Sequence, residues 1–136
     1  MAQLIDRRMV IALGAVGASA LFLGGTRRAA AQAGEWKELA PGIKLRTLSE
    51  AESIFPGYAK VLLAEVTFAP GSTIEDTMTN AMICEILDAP VELERAGRVR
   101  TLKPGDVYTC KIGTKERVTN KGNATSVMKV FNLMTA

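Results

Sequence analysis

No histidine occurs anywhere in the 136 residues. That absence removes imidazole general bases and every metal centre that depends on imidazole ligands. The two cysteines, Cys84 and Cys110, have no C-x-x-C spacing and no adjacent helix start to lower a thiol pKa, so a redox-active dithiol is disfavoured. The methionines form no M-x-x-M series of the kind that collects soft metals on an exposed loop. The chain also lacks internal repeats, low-complexity tracts and long linkers. After the N-terminal segment it carries no surplus of either charge.

That segment, residues 1–33, reads as an export signal rather than as part of a fold. Arg7 and Arg8 precede an uncharged run from Met9 to Gly25 rich in Ala, Leu, Val and Gly. The paired arginines point to the Tat route, with Sec as the alternative because the residues after the pair follow the Tat pattern only loosely. Ala31, Gln32 and Ala33 supply a small-x-small cleavage pattern, giving a mature protein that starts at Gly34 and is periplasmic or secreted. The run is short and glycine-rich against the roughly 20 apolar residues of a stable span, so no membrane anchor is expected after cleavage. The 17 basic and 14 acidic residues of the full chain become 13 of each once Arg7, Arg8, Arg27, Arg28 and Asp6 are removed. The basic character therefore belongs to the signal, and the mature domain is not expected to bind nucleic acid. Arg95, Arg98, Arg100 and Lys103 are the local exception; alternating with Ala96, Val99 and Leu102, they read as the solvated face and turn of a hairpin.

Residues 34–136 suffice for one domain with a single core. Pro41-Gly42, Pro56-Gly57, Pro70-Gly71, Ala96-Gly97, Pro104-Gly105, Gly113 and Lys121-Gly122 mark turns, and the runs between them are rich in Val, Ile, Leu, Thr, Tyr and Phe. This punctuation predicts an all-β sandwich or barrel. Strands are expected at 44–48, 60–68, 77–87, 91–94, 99–102, 107–111, 117–120 and 127–133. A short helical turn is expected at Ser49 to Ile54, with Ser49 capping and Glu52 at the third position. Trp36, Leu39 and Ile43 are expected to pack the N-terminal arm against the domain or a second subunit.

Gly105, Gly113 and Asn120 fall in the register of the second cupin motif, G-x5-P-x-G-x2-H-x3-N, with Lys111 at the proline position and Glu116 at the histidine position. The first motif, G-x5-H-x-H-x3,4-E-x6-G, is more eroded. Gly71 aligns, Thr77 and Thr79 stand at the histidine positions, and the glutamate position, counted back from Ala89 or Pro90 at the closing glycine, falls on Met82 or Ile83; Ile86-Leu87-Asp88-Ala89 is similar to the strand ending V-L-E-G, which favours Met82. Over most of Trp36 to Leu133 the chain thus resembles a single-domain cupin. The resemblance implies a double-stranded β-helix, or jelly-roll barrel, and is compatible with a homodimer. It also implies that the mouth, where metal-bearing cupins present three histidines and a carboxylate suited to Fe, Mn, Ni, Cu or Zn, carries a different set here. Glu116 could keep one oxygen ligand, or be solvated or paired with Lys115 or Arg117.

In the aligned register Met82, Cys84 and Ile86 share one strand face, as do Tyr108 and Cys110. For an exported protein the two cysteines suggest a Cys84 to Cys110 disulfide, closing a loop of about 25 residues; two buried free thiols are the alternative. Met82, Cys84, Cys110 and Glu116, with Met78, are the weak candidates for a soft-metal site, copper or another transition metal; no cofactor is otherwise expected. Thr77, Thr79, Asn80, Glu85, Tyr108 and Glu116 could line a cavity for a small polar ligand. Glu85 lies within the apolar run Met82 to Leu87, and the register that puts Met82 and Cys84 inside turns it to the opposite face. The reading that follows is an exported cupin-domain protein acting as a non-catalytic small-ligand-binding or accessory module. The alternatives are a metalloenzyme or copper-binding protein with a Cys/Met/Glu site, an enzyme using Glu85 and Glu116 as acid and base, and a structural or partner-binding protein.

Overall fold

The computed structural model describes residues 34–136; the export-signal reading of 1–33 lies outside the described residues. Ten strands make up the domain: β1 (Lys37–Ala40), β2 (Ile43–Glu52), β3 (Lys60–Phe68), β4 (Thr73–Thr77), β5 (Ala81–Asp88), β6 (Val91–Arg95), β7 (Arg98–Leu102), β8 (Val107–Cys110), β9 (Lys115–Thr119) and β10 (Ser126–Met134). They form two antiparallel sheets, one of six strands in the order β1-β2-β3-β10-β5-β8 and one of four in the order β4-β9-β6-β7. The all-β jelly roll is as expected, although among the described residues no hydrogen-bonded ladder joins the two sheets into a closed barrel. Among the described residues no helix is long and apolar enough to cross a membrane.

Strand alternation decides what faces the space between the sheets. In β10, Ser126, Met128 and Val130 are buried while Val127, Lys129 and Phe131 are less so. The same period buries Ala64, Val66 and Phe68 of β3, Cys84 and Ile86 of β5, Val91 and Leu93 of β6, and Tyr108 and Cys110 of β8. Burial of this face, at roughly 25 cal/mol per Å² of apolar surface, is the main force holding the sheets together. On the outer face of the larger sheet Ile83, Leu87 and Val107 remain exposed.

Turn chemistry sets the connections. Ala96 and Gly97 both have positive φ, 50° and 74°, the combination required at the two central residues of the tight hairpin joining Arg95 to Arg98.

Three local expectations are corrected. Ser49 to Ile54 is not helical: β2 runs through Glu52 with a bulge between Thr47 and Ser49, because pairing with β3 supplies partners that an isolated capped turn cannot match. The single strand expected at 77–87 is two. The Met78 N–H donates to the Thr114 carbonyl and its own carbonyl accepts from the Gly113 N–H, so the chain bends at 78–80 and passes from the smaller sheet to the larger. Of the N-terminal arm, β1 was not expected as a strand. It pairs with β2, Ile43 is fully buried, and Trp36 and Leu39 stay largely exposed, with the Arg46 guanidinium 4.7 Å over the Trp36 ring.

Candidate functional site

A cavity of ≈ 260 Å³ opens between the sheets. Its wall is mostly apolar, from Ile43, Leu45, Val66, Phe68, Met128 and their neighbours, and its polar groups are Asp76, Thr79, Asn80, Tyr108, Glu116 and Asn132. β9 aims Glu116 and Val118 inward and Lys115 and Arg117 outward by simple alternation. Glu116 is 6% exposed, and its Oε2 accepts from Arg95 Nη2 at 2.8 Å and from the Cys110 thiol at 3.4 Å. Its partner is thus neither Lys115 nor Arg117, which reach Glu75 on the outer face instead.

Arg95 continues the inward phase of Val91 and Leu93 along β6. Besides Glu116 it donates to Cys110 Sγ at 3.2 Å and to the Thr109 carbonyl at 3.1 Å, and its guanidinium lies 5.8 Å from the centre of the Tyr108 ring. It lines not the cavity but an outer groove of ≈ 540 Å³ shared with Glu75, Glu94, Lys111, Lys115 and Arg117. Glu116 borders both spaces, so the Arg95 and Glu116 pair forms the partition between them.

The cysteines are both buried and free, which corrects the expected disulfide. β5 and β8 pair with Cys84 opposite Tyr108 and Met82 opposite Cys110, making the two cysteines diagonal neighbours. Diagonal positions lie roughly 7–8 Å apart, beyond the roughly 6.8 Å reach of a disulfide between Cα atoms. The interaction with the Cys84 sulfur, burial and the Glu116 carboxylate together push the Cys110 thiol far up, and Cys84 is shifted the other way chiefly by the same interaction with Cys110. Cys110 therefore keeps its proton and is not a ready nucleophile.

Burial, and secondarily the nearby Cys84 and Glu116, push the Tyr108 phenol well above its ordinary value. A raised folded-state pKa means that the folded state holds the proton more tightly than the unfolded chain. The resulting stabilisation is complete below the unfolded pKa and is lost as pH rises above it. Stability is expected to fall above about pH 10, with a Tyr108 contribution approaching ~1.4 kcal/mol per pH unit, and Tyr108→Phe should flatten that limb in urea titrations.

The other predicted site residues divide. Met82, Thr79, Asn80, Tyr108 and Glu116 reach the cavity, whereas Thr77 does not. Ile74, Asp76 and Met78 point inward, and Asp76 Oδ1 caps the Thr77 N–H at 2.8 Å, so the inward phase is one residue from that expected at Thr77. Cys84 lies deeper in the core, touching neither pocket. Glu85 is on the outer face opposite Lys129 and Val107, which separates it from Glu116 and overturns that pairing as acid and base. Sequence reasoning missed Arg95 as an inward residue, and Asp76, Met128 and Asn132 altogether. For Arg95 the signal existed in the Val91, Leu93, Arg95 spacing.

Three solved structures place this architecture. KdgF from Halomonas sp. is 20% identical with a TM-score of 0.57 over 73% of this chain and 86% of its own. An RmlC-like cupin from Shewanella frigidimarina is 12% identical, also with a TM-score of 0.57, over 74% and 84% respectively. The cupin domain of an XRE-family transcriptional regulator from Enterobacter cloacae is 15% identical, with a TM-score of 0.57, over 70% of this chain and 99% of that domain. The domain therefore has the cupin fold, shared by proteins of differing function. No family profile and no curated relative matches the sequence. The residues present do not fit the metal set of that fold: Asp76, Met78, Met82 and Glu116 face the cavity, the sequence has no imidazole, and the buried Glu116 carboxylate is already held by a guanidinium.

Proposed function

We propose that this chain is an exported, non-catalytic module that binds a small molecule between the sheets of a cupin-fold domain. The observation carrying this reading is the ≈ 260 Å³ cavity, with a largely apolar wall and a few placed polar groups, which is the usual make-up of a small-ligand site. The test begins with mature protein recovered from the periplasm, whose N-terminus should be Gly34, screened against a diverse library by ligand-observed NMR. Asn132→Phe, which fills the cavity beside Met82, should abolish the hits while leaving the melting temperature within a few degrees. Tight retention of Fe, Mn or Ni by the purified protein, or hits indifferent to Asn132→Phe, would overturn the reading. As part of the same reading a homodimer would cover Ile83, Leu87 and Val107 on the outer sheet, which sedimentation equilibrium tests.

A second reading rests on sulfur. Met82, Cys84, Cys110 and Met128 all belong to the inner face of the larger sheet, with Met82 directly opposite Cys110. Thiolate and thioether donors suit Cu(I), and Cys84 and Cys110 with Met82 would hold it. Stoichiometric Cu(I) uptake under anaerobic competition, lost in Cys84→Ser, would place this reading first.

A further inference from the structure

We propose that the cavity selects an organic ammonium ion, a primary amine carried on an apolar body, and that Asp76 is the residue that recognises it. This deepens the binding function proposed above and rests on it.

The cavity is charged in one sense only. Its carboxyl-bearing lining residues are Asp76 and Glu116, and among the described residues no Lys or Arg lines it. The two carboxylates sit directly opposite each other across β4 and β9, yet their surroundings differ. Glu116 is deep, and Arg95 satisfies it from the groove side at 2.8 Å. Asp76 is exposed at the mouth, forms no ion pair among the described residues, and has only its neighbour's backbone N–H on Oδ1. Two negative charges with one guanidinium behind them leave the cavity with a net negative charge at its entrance.

The neutral polar groups can serve the same partner. Tyr108 is 6% exposed on the cavity wall, and its hydroxyl is directed at the Met128 thioether at 3.5 Å. The hydroxyl also lies against the Cys84 thiol, which faces Tyr108 across β5 and β8. The side-chain amides of Asn80 and Asn132 have no hydrogen-bond partner among the described residues. An ammonium group offers three donors and no acceptor, which complements the Asp76 carboxylate and the amide oxygens. A carboxylate ligand would meet like charge, and an alcohol would forgo the ionic component. The apolar wall of Leu45, Val66, Phe68 and Val130 then receives the body of the ligand.

The test uses the mature protein and three probes of one shape, hexylamine, hexanol and hexanoate, with dissociation constants from NMR chemical-shift titration at low ionic strength. Hexylamine is expected to bind about tenfold more tightly than hexanol, the size of one hydrogen bond to a charged group at a solvent-exposed position, with hexanoate weakest. In Asp76→Asn the amine and the alcohol should become nearly equal while hexanol affinity stays unchanged, and added salt should shrink the wild-type preference. Hexanol binding as tightly as hexylamine, or an amine preference that survives Asp76→Asn, would overturn the ammonium assignment while leaving the cavity as a binding site. Failure of all three probes to bind at millimolar concentration would instead count against the binding function itself, and the assignment would fall with it.

Discussion

Asn120→Ala is expected to lower the unfolding free energy by about 3 kcal/mol, the loss of three side-chain hydrogen bonds at roughly 1 kcal/mol each from a buried position. Asn120 is completely buried. Its Nδ2 donates to the Phe68 and Ala124 carbonyls, both at 2.8 Å, and its Oδ1 accepts from the Gly122 N–H at 3.0 Å. Its backbone also ties to Gly71 and Ser72. One side chain thus fastens the end of β3 and the 121–125 loop to the end of β9. Asn120→Asp should cost more than alanine, because a carboxylate would be directed at two carbonyl oxygens in a site sealed from water. Urea unfolding with an unchanged m-value checks both. A loss under about 1 kcal/mol for alanine would mean that the loop relaxes to find other partners.

Arg95→Met is expected to cost about 2–3 kcal/mol, at or just below the roughly 3–5 kcal/mol for breaking a fully buried ion pair, since the arginine itself is partly exposed. The substitution keeps much of the stem while leaving the Glu116 carboxylate, 5% exposed in its side chain, facing Cys110 with no cation. The informative measurement is the double-mutant cycle. Glu116→Gln alone should be mild, because an amide oxygen can still accept from Arg95. Arg95→Met with Glu116→Gln should be clearly more stable than Arg95→Met alone, because no buried charge is then left unpaired. Additive losses would show that Arg95 contributes through packing on Tyr108 rather than through the pair.

The frame was legible in the sequence where backbone requirements are written in residue types. Gly71, Gly105 and Gly113 adopt φ of 79°, 91° and 84°, conformations that other residues rarely take, and Asn120 stands at the fixed distance from Gly113 that the second motif demands. The inward faces of β5 and β8 followed from period two. What was not legible arose where pairing overrode local signals or where a charge invited a surface reading. Ser49 and Glu52 form a sound capping pattern, yet β3 draws that stretch into a strand. Lys37 to Ala40 has little strand propensity and is extended only because β2 offers an edge. Arg95 was placed on the solvated face because arginine is seldom buried, and only the acceptor on the facing strand, Glu116, makes its inward turn favourable. Asp76 was missed because motif counting from Gly71 lands on Thr77, whereas alternation within β4 sets the inward phase through Ile74.

The residues that bend the chain and tie its strand ends are different from the residues that face its cavity. Gly71, Gly105, Gly113 and Asn120 make the bends and tie the strand ends, while the side chains of Asp76, Met78, Met82 and Asn132 contribute surface to the interior. Specificity at those four lining positions is therefore adjustable apart from the bends: their side chains can be rewritten, metal ligands included, while the inner-face residues that hold the sheets together stay in place, which makes the domain a chassis for installing new binding chemistry.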